Sequence, residues 1–166
     1  MSRRDDPSRR WLIWAFWLLG FGALYLWIDG WYGRMLNPNR AEVLNDQRGE
    51  LVLKRGLNGG YMAEGTLNGK PATFLVDTGA DSVALSVRRG GALGLKRGAP
   101  IGVNTAGGRT TGYETRVDRV RIGPIELTDV RAILVEGMDD DMVLLGMTFL
   151  RRVEFSQKDG VLTLRR

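Results

Sequence analysis

The sequence predicts a mainly β protein: a small closed or sandwich-like β domain preceded by one N-terminal transmembrane helix. Three observations carry this. An uncharged apolar run fills residues 11–28, and short apolar runs separated by Gly-containing turns fill the chain beyond residue 48. The length of 166 residues suits one ordinary domain plus an appendage.

The apolar run, Trp11 to Ile28, reads WLIWAFWLLGFGALYLWI. At about 1.5 Å per residue it reaches about 27 Å, near the thickness of a bilayer's hydrocarbon core. Trp11, Trp14, Tyr25, Trp27, Trp31 and Tyr32 lie towards its ends, as interfacial aromatic belts do. It has no polar stripe, which argues against a core helix of a small domain. It is longer than an ordinary signal-peptide core and no A-x-A-like site follows it, so an uncleaved signal anchor is expected. Arg3, Arg4, Arg9 and Arg10 precede the span, against Asp5 and Asp6. That bias keeps residues 1–10 cytoplasmic and exports the remainder, to the periplasm if the cell is bacterial. The expectation is a single-pass protein of the inner, cytoplasmic membrane. Residues 29–48, with the polar stretch NPNRAEVLNDQR at their end, read as a linker to a domain over 49–166.

Within that domain the pattern predicts strands at Glu50–Lys54, Tyr61–Leu67, Ala72–Val76, Val83–Leu85 and Ile101–Thr105. Further strands follow at Glu114–Ile122, Val130–Val135, Met142–Leu145, Val153–Ser156 and Val161–Leu164. Turn chemistry separates them at Asn58-Gly59-Gly60, Asn68-Gly69, Gly107-Gly108 and Asp159-Gly160. Ser86–Leu95 and Met147–Arg152 suit short helices. No internal repeat is visible.

Composition restricts the chemistry. The chain has no Cys and no His, which removes disulfides, thiol nucleophiles, His-based triads and the usual Cys/His zinc sites. Carboxylates, hydroxyls, Lys/Arg and backbone groups remain. A net charge of +5 without a basic block or interleaved aromatics gives nucleic-acid binding no support. No cofactor or metal is expected. Asp139-Asp140-Asp141 lacks the alternating spacing of a calcium loop and reads as a solvated acidic loop. Gly65-Thr66-Leu67-Asn68-Gly69-Lys70 is one residue short of a phosphate loop, and Pro71 stands where Ser/Thr is needed. Arg88, Arg89, Arg151 and Arg152 read as surface charges on short helices.

The informative stretch is Thr73 to Ser86, TFLVDTGADSVALS. An apolar strand runs straight into Asp77-Thr78-Gly79, so a carboxylate ends a buried strand, a costly arrangement unless its charge is bound or shared. Gly79 brings backbone N–H groups near that carboxylate, and the Thr78 hydroxyl can lock the loop. An Asp-Thr/Ser-Gly triplet alone is weak evidence, expected by chance in roughly one such chain in ten. Its context is stronger. Some 66 residues later comes Val143-Leu144-Leu145-Gly146-Met147-Thr148-Phe149-Leu150, two features of which are an apolar–apolar–Gly run and a short amphipathic helix. The ending VEFSQKDGVLTL supplies a hairpin, and Asn104 to Arg109 (NTAGGR) supplies a polar, Gly-rich hairpin tip.

This ordered set, spanning about Gly60 to Arg166, resembles the retropepsin-like (retroviral-type, clan AA) aspartic proteases, most closely their membrane-anchored bacterial branch. The resemblance implies a closed β-barrel whose monomer holds half an active site, since Asp77-Thr78-Gly79 occurs once. Two chains would meet as a homodimer, and the two Asp77 carboxylates would share a proton and activate water for hydrolysis of a polypeptide substrate. It further implies that Thr78 bonds across the dimer, that Gly79 binds substrate backbone and that Ala80 leaves room beside it. Asp81 would be a substrate-side or structural carboxylate, and Thr105, Ala106, Gly107 and Gly108 with Arg109 would form the flap. The chain departs from retroviral enzymes in carrying Met147 where they have an Arg, which removes the usual ionic partner of Asp81. A non-catalytic module that binds peptides in the same groove is the alternative, and a purely structural tethered β domain a third.

Overall fold

Alternating burial along most of the strands sets the architecture. The computed structural model describes residues 7–39, 49–105 and 107–166. The chain divides after Leu36 into two units. The first contains helix α1 (Pro7–Leu36), whose segment Trp11–Gly33 is long and apolar enough to cross a membrane. Its large side chains are exposed all round, and Trp27 and Trp31 stack one turn apart with ring centroids 6.4 Å apart.

The second unit, Asn37–Arg166, is β-rich. Its elements in order are β1 (Glu50–Lys54), β2 (Tyr61–Leu67), β3 (Lys70–Val76), β4 (Val83–Ser86), α2 (Val87–Ala92), β5 (Pro100–Thr105) and β6 (Gly108–Ile122). There follow β7 (Ile125–Val135), β8 (Met142–Leu145), α3 (Met147–Leu150), β9 (Glu154–Lys158) and β10 (Val161–Arg165). Seven strands run in the order β2-β3-β8-β4-β7-β6-β5, and β6 pairs back onto β2, closing a six-stranded barrel with β5 outside the ring. Closure occurs at Gly65↔Ile122, Thr66↔Arg121 and Leu67↔Val120. Gly65 is required there: a Cβ would sit 2.2 Å from the Arg121 carbonyl oxygen and 2.9 Å from the Phe74 ring. The fold is thus mainly β and closed, as the sequence predicts.

The turns follow the expected chemistry. Asn68-Gly69 and Asp159-Gly160 both adopt positive φ at each residue, the backbone of tight two-residue hairpins. Strands β6 and β7 are longer than the sequence pattern suggests because they form one twisted ribbon, turning at Gly123-Pro124, that serves both barrel and hairpin.

Inward side chains fill one core, with Phe74, Phe149, Leu67, Leu85, Ile122, Leu134 and Leu145 fully buried. A second sheet, β1-β10-β9, directs Leu51, Leu53, Leu162 and Leu164 into the same core. Asn39, fully buried, links the two sheets: its amide nitrogen donates to the carbonyls of Lys54 (2.8 Å) and Met62 (2.9 Å), and its oxygen accepts the Lys54 N–H (2.7 Å). Asn37 donates to Glu64. The polar stretch read as a linker therefore contributes two side chains to the β unit, while 40–48 lie outside the described residues.

Two expectations are corrected. Arg89 is a half-buried clamp, not a surface charge: it donates to the carbonyls of Asp140 and Pro71, each at 2.7 Å. Asp140 is likewise not simply solvated, since it accepts from the buried Ser86 hydroxyl and pairs with Arg88. The reason is topological. Because β4 pairs with β8, α2 at the end of β4 lies beside the loop that leads into β8.

Candidate active site

The candidate site is built where two parallel strands end together. The register of β3 on β8 runs from Thr73↔Met142 to Val76↔Leu145, and the Asp77 N–H extends the ladder by one bond to the Leu145 carbonyl (3.2 Å). Beyond it the chain turns. The Gly79 N–H donates to Asp77 Oδ1 (2.8 Å) and the Ala80 N–H to the Asp77 carbonyl (3.3 Å), an Asx-type turn that fixes the carboxylate by its own loop. A Cβ on residue 79 would stand 3.2 Å from Asp77 Oδ1, so this glycine serves close approach of backbone to carboxylate.

The loop is locked from the other side. The Met147 N–H donates to the Ala80 carbonyl (2.8 Å) and the Thr148 N–H to the Asp81 carbonyl (3.1 Å). Thr148 Oγ1 accepts the Val83 N–H (3.0 Å) and donates to the Arg131 carbonyl (2.8 Å). Gly146 lets the strands cross, because a Cβ there would lie 2.3 Å from the Ser82 carbonyl oxygen and 2.6 Å from that of Ala80. The apolar–apolar–Gly signature thus has a steric meaning. The bridging role of Thr148 was missed by sequence reasoning; the Met-Thr following that glycine was its only signal.

The sequence-predicted residues fall into three sets. Asp77 is half-buried, and its side chain has no partner among the described residues beyond the Gly79 N–H. Thr78 and Gly79 are exposed, Ala80 is half-buried, and the Thr78 hydroxyl makes no hydrogen bond among the described residues. Asp81 is exposed and its carboxylate is unpaired there, in keeping with Met147 beside it. It lines a groove of about 1000 Å³ with Ser82, Met147 and Thr148; Asp77 is not part of its wall.

The predicted flap residues lie on the β5–β6 turn. Thr105 Oγ1 donates to the Gly108 carbonyl (2.8 Å), and Gly108 takes a φ of +114°. Gly107 is exposed, and Ala106 lies outside the described residues. Towards the base of this hairpin, the Tyr113 hydroxyl donates to Glu136 (2.8 Å) beneath the Arg97 guanidinium. The hydrogen bond to Glu136, with the carboxylate's charge, raises the Tyr113 pKa above its ordinary value of 10.0. No cluster of three or more potential metal ligands occurs among the described residues.

Comparison with known proteins agrees with this geometry. Residues 63–152, somewhat more than half of the chain, match the family model described as "gag-polyprotein putative aspartyl protease". An uncharacterized protein of the cobV 5′ region in Sinorhizobium sp is 32% identical over 169 residues, covering 93% of this chain and 71% of that protein. The crystal structure of a retropepsin-like aspartic protease from Rickettsia conorii superposes with a TM-score of 0.58 at 29% identity, over 70% of this chain and 98% of that one. A closed barrel, a carboxylate at the end of its β3 and a crossing glycine opposite accompany these matches, and the chain belongs to the gag-polyprotein aspartyl protease family, with a retropepsin-like fold.

Proposed function

We propose that the protein is a membrane-anchored aspartic endopeptidase, active as a homodimer in which two Asp77 carboxylates activate a water molecule for peptide-bond hydrolysis. The observation that carries this reading is the state of Asp77: a carboxylate at a strand end, oriented by the Gly79 N–H and left without a cation or hydroxyl partner among the described residues. Such a group is available for proton transfer. One per chain is half of what the reaction needs. With two brought together, one ionised carboxylate takes a proton from water while its protonated counterpart polarises the scissile carbonyl and later protonates the leaving amine. Thr78, exposed and with its hydroxyl unbonded among the described residues, is suited to bond across the dimer. Gly79 and Ala80 line the substrate backbone, and the β5–β6 turn, including Thr105, Gly107 and Gly108, covers it.

A surface for the second copy is available at β9. Among the described residues this strand pairs only with β10, every residue of it is exposed, and Phe155 is 44% exposed. Antiparallel self-pairing about Ser156 sets Glu154 against Lys158 of the partner subunit, twice by symmetry. The span Trp11–Gly33, preceded by four arginines, supports an inner-membrane anchor with the β unit outside the cytoplasm. Two tethered chains meet at a raised effective concentration.

The test is cleavage of a peptide library by the full chain in nanodiscs, beside Asp77→Asn, at several pH values, with association followed by sedimentation in detergent. Cleavage by the wild type alone, strongest under acidic to near-neutral conditions, supports the reading. Peptide binding without cleavage by either form makes the protein a non-catalytic peptide-binding module. Cleavage by a strict monomer overturns the shared site.

A further inference from the structure

The groove beside Asp81 is cationic. Lys96, Arg97, Arg116, Arg131, Arg151 and Arg152 contribute to its wall, against the carboxylates of Asp81, Glu114 and Asp129. Three of the cations have structural employment. Arg116 pairs with Asp129 (2.5 Å), Arg152 donates to the Thr128 carbonyl (2.8 Å), and Arg97 lies 5.4 Å from the centre of the Tyr113 ring. The heads of Lys96, Arg131 and Arg151 have no partner among the described residues, and all three residues are exposed. Gathering like charges around a concavity carries a self-repulsion and focuses a positive potential into it. No packing need of the fold accounts for that arrangement.

We propose that this groove is a subsite for acidic residues of the polypeptide substrate, a reading that rests on the peptidase function proposed above. Its position supports a peptide as occupant. Asp81 and Ser82 in its wall belong to the loop that begins at Asp77, and Thr148, which holds that loop, lies in the wall too. An extended chain advances about 3.3–3.6 Å per residue, so a segment leaving the Asp77 loop past Asp81 enters the groove within a few residues of the scissile bond. The carboxylates of Asp81 and Glu114 can accept the backbone N–H groups that an extended peptide carries beside its acidic side chains.

The experiment uses the full chain in nanodiscs. Its probes are two fluorescent peptide pools with a randomised centre, flanked by Glu-Glu-Glu in one and by Gln-Gln-Gln in the other. Binding is read on Asp77→Asn, which leaves the peptides intact, and cleavage on the wild type. The Glu-flanked pool is expected to bind more tightly. Its advantage should fall up to about five-fold with each of Arg131→Gln and Arg151→Gln, and shrink between about 50 and about 500 mM salt. Arg131→Lys and Arg151→Lys should keep most of the preference, which separates lost charge from lost fold. Equal binding of the two pools, or a preference untouched by both Gln variants, overturns the subsite. So does amide protection of 129–131 and 151 that appears only on phosphatidylglycerol discs with no Glu preference, which assigns the groove to lipid headgroups. Cleavage without preference removes the subsite and keeps the peptidase; preference without cleavage supports the subsite and removes the peptidase.

Discussion

Asp77 and Asp140 stand near opposite ends of the same strand, β8, and have opposite fates. Asp140, just before the strand begins, accepts from the buried Ser86 hydroxyl and pairs with Arg88, while its carbonyl takes a bond from Arg89. Asp77, beside the end of the strand, receives a single backbone N–H on its carboxylate among the described residues. One carboxylate is consumed by the fold; the other is oriented and left open. An acid that works in a reaction needs an approach geometry without a permanent counter-ion, and a loop that binds its own carboxylate through backbone alone provides that.

This contrast can be broken first at Asp77. Asp77→Asn keeps the shape and the Gly79 hydrogen bond, so the melting temperature should hardly move while peptide cleavage falls by about 10³-fold or more. A thermal melt beside a cleavage assay checks both. Unchanged cleavage would place the chemistry elsewhere. Next is the crossing behind the loop. Gly146→Ala forces a methyl against the carbonyls of Ser82 and Ala80, and should cost about 3 kcal/mol or more by denaturant titration, with cleavage lost alongside. Asp140→Asn should show the reverse of Asp77→Asn. It weakens the hold on Ser86 and Arg88, costs about 1–2 kcal/mol in the same titration, and leaves cleavage per folded molecule within about two-fold.

The smallest effect concerns Tyr113. Its raised pKa means that the folded state holds the phenolic proton more tightly than the unfolded chain does. The Glu136 contact therefore contributes fully below pH 10.0 and is lost as pH rises through the folded-state value. Ultraviolet titration should show a component ionising above pH 10.0 that Tyr113→Phe removes.

Local chemistry was legible in the sequence and long-range pairing was not. The boundaries of β1, β2 and β8 match their apolar runs, because alternation and turn residues are written within a few positions of each other. The carboxylate loop was readable as a motif for the same reason. What holds that loop was not. Thr148 reaches Val83 across 65 positions and Ser86 reaches Asp140 across 54, and nothing in either neighbourhood announces the partner. Arg89 looked like a solvent charge because on a short helix only the neighbouring loop decides whether its guanidinium meets water or carbonyls. The charged groove beside Asp81 was equally hidden, since its cations come from elements scattered between Lys96 and Arg152.

Asn39 fixes where the molecule can be cut. It lies outside every strand, yet it satisfies one N–H and two carbonyls between β1 and β2 from a fully buried position. A truncated form that starts at Ala41 leaves those three backbone groups without their partner. The natural first residue for a separated β unit is Asn37 or one before it, only a step beyond the end of α1 at Leu36.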